Sequence, residues 1–346
     1  MTMVRTVLGE IDSSQLGATL FHEHLIIDGS TAWRAPESDD SAGREIARNP
    51  IQMSYLGRLR DDPYLSLDNT RLDDVDVAIE EASLFKAAGG STIVEVTPAA
   101  VGRNPIALRD IAAATGLNVV MGSGFYLERT HPKALATMSI DGIAAAVEHD
   151  ILVGVDGVQA GVIGEIGVGL EFTDAEQRSL RGAARAAART GVPLSVHLPG
   201  WHRYGHRVLD IVEEEGCSPS ATVLSHMNPS MDDLEYQRAL ARRGAWIEYD
   251  MLGMEFYYQG EGQSPSDEDN ARAIARLIED GFKDRLLLSH DIFIKTLLTR
   301  YGGFGYAHVL TGFADRLERC GVPRDTLLGI LTDNPRGVFE RAAEGD

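Results

Sequence analysis

The sequence predicts an α/β fold, a single (β/α)8 barrel over residues 1–346 with its active site at the C-terminal ends of the strands. Eight short apolar segments recur along the chain, and continuously apolar strands are typical of a parallel sheet buried on both faces. Each segment is followed by a stretch long enough for a helix, which favours parallel pairing. A chain of 346 residues suits one barrel with insertions. A doubly wound open sheet is the alternative.

The predicted strands alternate with Ala-, Arg- and Glu-rich stretches that favour helix. The clearest helix follows Thr173, a good N-cap, and ends before Gly191, a good C-cap. The first strand–helix connection, from about residue 25 to 70, is long and polar, and we expect a partly helical insertion beside the active site. The strands are expected at residues 18–24, 91–97, 118–124, 161–167, 193–198, 221–226, 245–250 and 285–291.

The composition narrows the classes of partner. A net charge of −20 disfavours binding to nucleic acid or to an anionic membrane. Two cysteines form no disulfide framework, and neither a signal peptide nor a membrane-spanning run is apparent. We therefore expect a cytoplasmic protein that acts on a small molecule.

The segment FHEHL in the first predicted strand carries two histidines separated by one residue. Residues i and i+2 of a strand point to the same face, so His22 and His24 project together while Glu23 points away. One metal ion can accept both imidazoles. Taken alone, the pair fits a metal site and two ordinary polar residues equally well.

Four other predicted strands also end on a metal-binding side chain. Strand ends converge at the top of a (β/α)8 barrel, where active sites lie. Polar groups in buried strands are costly without partners. Four imidazoles and two carboxylates at one place therefore predict a divalent-metal site. The additional residues are Glu165, His197, His226 and Asp291.

Over nearly its whole length the chain resembles the phosphotriesterase-related branch of the amidohydrolase superfamily. The resemblance implies a barrel with a binuclear metal centre, most often of zinc, although manganese, cobalt or iron also suits such ligands. The motifs that carry it are, in order, TVLGEIDSSQLGATLFHEHL, GGSTIVEVTP, GSGFY, QAGVIGEIGVG, TGVPLSVHLPG, LLSHDIFIK and NPRGVF.

The resemblance also implies roles for the ligands. His22, His24 and Asp291 would hold the more buried ion, and the more exposed ion would be bound by His197 and His226. Many relatives bridge the two ions with a carboxylated lysine on the fourth strand. None of the four lysines of this chain lies there. Glu165 occupies the matching position, and a direct glutamate bridge is expected.

Such a centre implies hydrolysis by a hydroxide held between the ions, with Asp291 as proton acceptor. The predicted substrate is a lactone, carboxylic ester or amide. A phosphoester or phosphotriester is the alternative, although Met251 falls near where paraoxon-cleaving relatives carry a proton-shuttling histidine. A non-catalytic metal-binding barrel is a further possibility.

Three residues near the strand ends are candidate substrate contacts. Tyr126 follows the third strand, where relatives often carry an aromatic residue, Trp201 follows a ligand strand, and Asp250 ends the seventh strand. His290 precedes Asp291 and is expected to face away from the centre in a supporting role. Relatives are often dimers, so we expect a homodimer. The substrate and the native metal stay open.

Overall fold

Eight parallel strands form the centre of the fold, and they follow one another around the sheet in chain order. The computed structural model describes residues 2–345. All eight predicted strands are present, each slightly shorter than expected, and the (β/α)8 barrel is confirmed. The strands are β1 (Thr19–Glu23), β2 (Thr92–Glu95), β3 (Asn118–Ser123), β4 (Val162–Gly167), β5 (Leu194–His197), β6 (Thr222–Leu224), β7 (Trp246–Tyr249) and β8 (Leu286–Leu288).

The first and last strands approach each other through a side chain. The hydroxyl of Ser289 lies 2.8 Å from the carbonyl oxygen of His22 and 3.2 Å from its amide nitrogen. The amide of Asp291 donates to the same carbonyl at 3.3 Å. These contacts bring the barrel close to closure directly beside two of the predicted metal ligands.

The barrel interior below the site is apolar. Buried side chains from seven of the eight strands form one cluster with the final helix, and the Phe21 and Phe339 rings lie 5.6 Å apart. This cluster supports the strand ends from beneath, and it excludes water from the lower half of the barrel. Its members on the strands, or directly after one in the case of Val96, are Phe21, Val94, Val96, Val120, Val162, Val223, Trp246 and Leu287.

Helices follow the strands and cover the barrel. The helix predicted after Thr173 begins with a capping box between Thr173 and Glu176, and it ends at Gly191 with φ 65°. The helices are α1 (Ser41–Arg48), α2 (Leu56–Asp61), α3 (Val75–Ala87), α4 (Pro105–Thr115), α5 (Ile140–Leu152), α6 (Asp174–Thr190), α7 (Gly205–Glu214), α8 (Leu234–Arg242), α9 (Asp267–Glu279), α10 (Gly312–Arg319) and α11 (Arg324–Glu344). No helix within residues 2–345 combines the length and apolar character needed to cross a bilayer.

The long connection between β1 and α3 contains α1 and α2. Its two ends pair as short antiparallel strands, Ile27–Asp28 with Arg71–Leu72. Inside it, Ile46, Tyr55, Leu59 and Leu65 form a small apolar cluster of their own. Two further short hairpins lie outside the barrel, Met3–Thr6 with Gly9–Asp12 and Tyr257–Tyr258 with Gly262–Gln263. The single-domain boundary over residues 1–346 stays a prediction.

Candidate metal centre and active site

The carboxylate of Glu165, at the end of β4, lies at the middle of the predicted site. Its oxygens are 3.7 Å from Nε2 of His22 and 3.6 Å from Nε2 of His24. They are also 3.0 Å from Nδ1 of His197 and 3.8 Å from Nε2 of His226. One carboxylate therefore faces all four predicted imidazole ligands, although they come from three different strands or strand ends.

Asp291, just beyond β8, completes the group. Its Oδ1 lies 3.1 Å from Nε2 of His24 and 3.6 Å from Nε2 of His22, and its Oδ2 lies 3.9 Å from Nδ1 of His226. On the other side, Nε2 of His226 is 2.7 Å from Nδ1 of His197. The six predicted ligands thus lie close together, around Glu165 and Asp291.

Two of these residues have an unusual backbone. Among residues 2–345, four non-glycine residues have a positive φ, and His226 at 58° and Asp291 at 51° are two of them. A bulky residue in this region costs about 1–3 kcal/mol and persists only where the surroundings enforce it. The Asp250 carboxylate enforces it at His226, because both of its oxygens accept the amide hydrogen of His226, at 2.9 and 3.0 Å.

The residues present fit a divalent metal. Nε2 of His22 is buried and has no hydrogen-bond partner among the described residues, which is costly for a polar atom. Burial lowers the pKa of His22 to about 3, so the ring is neutral and its nitrogen can act as a ligand. Three sets of potential ligand atoms that include His22 each lie within 4.8 Å of one another. Two consist of predicted ligands, namely His22, His24 and Asp291, and His22, Glu165 and His226, and the third joins His22 to Glu248 and Asp250.

Neighbouring groups of the centre stabilise the charged forms of Glu165 and His24. Burial opposes ionisation of Glu165, but hydrogen bonds from His197 and His226 keep its pKa well below the usual range. Burial likewise opposes protonation of His24, yet the neighbouring Asp291 and Glu165 carboxylates raise its pKa to about 9. Such a mixture of carboxylates and imidazoles suits a cation, which would compete with protons for these ligands.

A cavity of about 400 Å³ opens above the centre. Five aromatic side chains stand in its wall, and they come from the insertion and from the loops after β3, β5, β7 and β8. Tyr126 and Trp201, both predicted substrate contacts, lie in this wall, and the Tyr126 hydroxyl is 3.4 Å from Nδ1 of His197. The other rings are those of Tyr64, Tyr258 and Phe293.

Cationic side chains stand at the cavity mouth. Arg34 and Arg129 are exposed and line the cavity. The Arg34 guanidinium lies 5.5 Å from the Tyr64 ring centre and donates to the carbonyl of Gln259 at 3.2 Å. This contact joins the β1–α3 insertion to the hairpin after β7, so the mouth is built from loops that are far apart in sequence.

Asp250 differs from its predicted role as a substrate contact. It is fully buried beneath His226 and is absent from the cavity wall. Besides the amide, it lies 3.1 Å from Nδ1 of His226. The strand ends one residue before Asp250, and its side chain turns back under the neighbouring strand end. Its position suits orientation of a ligand rather than contact with substrate.

His290 takes the supporting place expected of it. Its Nδ1 lies 2.8 Å from the Glu23 carboxylate, and its Nε2 accepts from the amide of Val309 at 3.0 Å. Glu23 also accepts the amides of His290 and Ile292. The residue between the two histidines of FHEHL therefore anchors the chain that carries Asp291.

Sequence reasoning missed four polar residues that touch the ligands from outside. The Thr97 hydroxyl lies 2.8 Å from Nδ1 of His24 and donates to Glu95. The Ser225 hydroxyl lies 3.1 Å from Nδ1 of His22 and donates to Glu248. The available signal was a glutamate flanked on both sides by hydrophobic residues in each of two predicted strands, residues 91–97 and 245–250.

A model of the phosphotriesterase family matches residues 2–339. The chain belongs to this family. It thereby falls within the amidohydrolase superfamily, as the sequence motifs predicted, and it is a hydrolytic enzyme. The chain is 35% identical to N-acetyltaurine hydrolase of Tetraodon nigroviridis and 34% identical to that of Homo sapiens, in each case over 96% of both chains.

Three solved structures of similar proteins share the barrel fold of this chain. A resiniferatoxin-binding protein from Rhodobacter sphaeroides is 49% identical, with a TM-score of 0.96, over 100% of this chain and 97% of that one. The phosphotriesterase homology protein from Escherichia coli, complexed with phosphate in its active site, is 26% identical, with a TM-score of 0.76, over 94% and 99%. A lactonase from Listeria monocytogenes shares the fold at 22% identity and a TM-score of 0.79, over 98% and 99%.

Proposed function

We propose that this hydrolase is a binuclear metal enzyme that cleaves the acyl bond of an amide, carboxylic ester or lactone. The observation that carries the proposal is the Glu165 carboxylate, which lies within 3.8 Å of a nitrogen of all four imidazoles. A carboxylate in that place can join two cations without any modified lysine. Amides come first among the substrates because the N-acetyltaurine hydrolases match almost the whole chain.

The ligands divide into two groups around Glu165. His22, His24 and Asp291 would hold one ion, and His197 and His226 the other. Two divalent ions, with zinc the first choice, would supply the Lewis acidity that activates water and polarises the substrate oxygen.

Asp291 is the proposed proton acceptor. Like those of Glu165, its two oxygens face both halves of the centre, since Oδ1 is near His24 and Oδ2 is near His226. It also borders the cavity, so a water molecule attacking a substrate there would be within its reach. Accepting that proton and passing it to the leaving group is ordinary general-base and general-acid catalysis.

The aromatic wall orients the acyl group and limits the access of water. Tyr126 and Trp201 stand on the side of His197, and Phe293 follows Asp291 closely in the chain. A substrate with an acidic tail would direct that tail towards Arg34 and Arg129 at the mouth. The sulfonate of N-acetyltaurine is a tail of this kind.

A phosphoester is the second candidate. The phosphate in the active site of the Escherichia coli relative supports it, because the same set of ligands suits a phosphoryl oxygen. The resiniferatoxin-binding relative makes that compound a candidate competitor for the cavity. A homodimer and a cytoplasmic location stay predictions.

The test is metal analysis of the purified protein combined with a substrate panel. The panel contains N-acetyltaurine, a neutral N-acetylated amine, a γ-lactone, an aryl ester and paraoxon, each with and without resiniferatoxin. We expect two metal ions per chain and the highest kcat/KM on an acyl substrate. Full activity after exhaustive chelation would contradict the metal centre, and a wide preference for paraoxon would reverse the order of the two candidates.

A further inference from the structure

We propose that two buried carboxyl–hydroxyl pairs, Glu95 with Thr97 and Glu248 with Ser225, are positioning residues for His24 and His22. Each pair would hold its imidazole in the tautomer that carries hydrogen on Nδ1, so that Nε2 faces the metal centre. This inference rests on the proposed metal ligands. It concerns residues that touch neither the substrate nor the ions.

In the pair beside His24, three hydrogen-bond donors surround the Glu95 carboxylate. Glu95 accepts the amides of Leu25 and Thr97, both at 3.3 Å, and the Thr97 hydroxyl at 2.5 Å. The Thr97 hydrogen is therefore committed to Glu95. The hydroxyl oxygen, 2.8 Å from Nδ1 of His24, is left as an acceptor, and the ring must supply the hydrogen.

The pair beside His22 repeats the arrangement on the other side of the barrel. The Ser225 hydroxyl donates to Glu248 at 2.9 Å and lies 3.1 Å from Nδ1 of His22. Its oxygen is again left to accept. Both Ser225 and Glu248 are fully buried. The Asp250 carboxylate lies 3.4 Å from the same ring nitrogen, which also favours hydrogen at that position.

The positions of the two Nε2 atoms agree with this ordering. Nε2 of His24 points at Asp291 and Glu165, and Nε2 of His22 is the buried nitrogen without a hydrogen-bond partner. A hydroxyl between carboxylate and imidazole makes each ring a better-defined ligand than a ring free to rotate. His226 has a carboxylate directly on Nδ1 instead, from Asp250.

The arrangement differs between the two halves of the centre. The histidines of FHEHL lie deep in the barrel, and a hydroxyl joins each of them to a buried carboxyl group, Glu95 on the adjacent β2 for His24 and Glu248 on the more distant β7 for His22. His197 is partly exposed, and its Nδ1 faces Glu165 rather than a supporting carboxyl group outside the centre. We therefore expect the supporting pairs to matter most for the ion held by His22, His24 and Asp291.

The experiment compares wild type with Thr97→Val and Ser225→Ala, which remove the hydroxyls, and with Thr97→Ser, which keeps one. Zn²⁺ affinity is measured by chelator competition, and the ring nitrogens are followed by ¹⁵N NMR of histidine-labelled, zinc-loaded protein. We expect Thr97→Val and Ser225→Ala to weaken Zn²⁺ binding at the site of His22, His24 and Asp291 by about 10- to 100-fold. The Nδ1 signal of the facing histidine should shift and its hydrogen should exchange faster.

Two other buried hydroxyls supply matched controls. The side-chain hydroxyls of Thr296 and Ser179 are buried and have no hydrogen-bond partner among the described residues, and neither residue lines the cavity. Thr296→Val and Ser179→Ala should leave Zn²⁺ affinity and the histidine signals unchanged. Thr97→Ser should restore both towards wild type, because it keeps the hydroxyl while losing only a methyl group.

Each outcome separates this inference from the proposed function. If wild type binds no Zn²⁺, the metal centre itself fails. If wild type binds two ions and the hydroxyl-free variants match it in affinity and spectrum, the positioning role is overturned. A Thr97→Ser protein as weak as Thr97→Val would also overturn it for that pair. Should Thr97→Val not fold, Ser225→Ala and the exchange rate of the His24 Nδ1 hydrogen in zinc-loaded wild type decide, and rapid exchange contradicts the proposal.

Discussion

The floor and the mouth of the cavity are built in opposite ways. On the floor, five of the six proposed ligands are buried, and their polar neighbours come from strands or strand ends. At the mouth, Arg34, Arg129 and Glu171 are exposed and are carried by loops. Loops tolerate change far better than packed strand ends. The difference teaches that the reaction chemistry belongs to the barrel, whereas the choice of substrate belongs to its connections.

If the floor of the cavity carries the chemistry, the largest loss of activity is expected from a substitution of Glu165. Glu165→Ala removes the carboxylate that faces all four imidazoles, and we expect metal to be lost and kcat to fall by more than about 10³-fold, or about 4 kcal/mol of transition-state stabilisation. Metal content and steady-state kinetics measure both. Glu279→Ala, at an exposed position on α9, is the control. Full metal occupancy with normal turnover in Glu165→Ala would contradict the proposed bridging role of Glu165.

Asp291→Asn tests proton transfer with less disturbance. The amide keeps the shape of the side chain but cannot accept a proton readily, so kcat should fall by about 10²- to 10⁴-fold. Circular dichroism should show an unchanged fold, and KM should change much less than kcat. If the rate stays at the wild-type value, Asp291 is not the base, whatever its place among the ligands.

The sequence predicts the floor of the cavity much better than its mouth. The strands and the six predicted ligands, His226 among them, could be placed because alternation along a strand and the convergence of strand ends are regular. Asp250 was expected beside the substrate, yet it lies under His226. Its chain position is the same in either case, and which way a residue turns just after a strand depends on the neighbouring strand end.

The residues of the cavity mouth could not be predicted from strand alternation or from the convergence of strand ends. Tyr64 and Arg34 lie within the long polar connection of residues 25–70, which has no period that fixes the path of the chain. They reach the cavity because the insertion contacts the hairpin after β7, for example through Arg34 and Gln259. That contact joins segments more than two hundred residues apart, and no local pattern encodes it.

A smaller effect is expected at the wall between floor and mouth. Trp201 lines the cavity, and its ring lies 5.9 Å from that of Tyr258. Trp201→Ala should raise KM by about tenfold, which corresponds to about 1.4 kcal/mol of lost binding, and leave kcat and metal content nearly unchanged. Trp33→Ala, an exposed tryptophan outside the cavity wall, serves as the control. A drop in kcat with an unchanged KM would mean instead that Trp201 contributes to the chemical step.

The last prediction is that added bicarbonate has no effect on activity, because Glu165 rather than a carboxylated lysine would bridge the two ions. A carboxylated lysine forms from an amine and CO₂, but none of the four lysines lines the cavity. Lys86 donates to the carbonyl of Gly116, Lys295 pairs with Asp68, and Lys283 pairs with Asp284. Metal-free protein reconstituted with Zn²⁺ in CO₂-free buffer should therefore recover the same activity as with added bicarbonate. A strict requirement for bicarbonate would mean that a lysine reaches the floor after all, and the direct Glu165 bridge would be wrong.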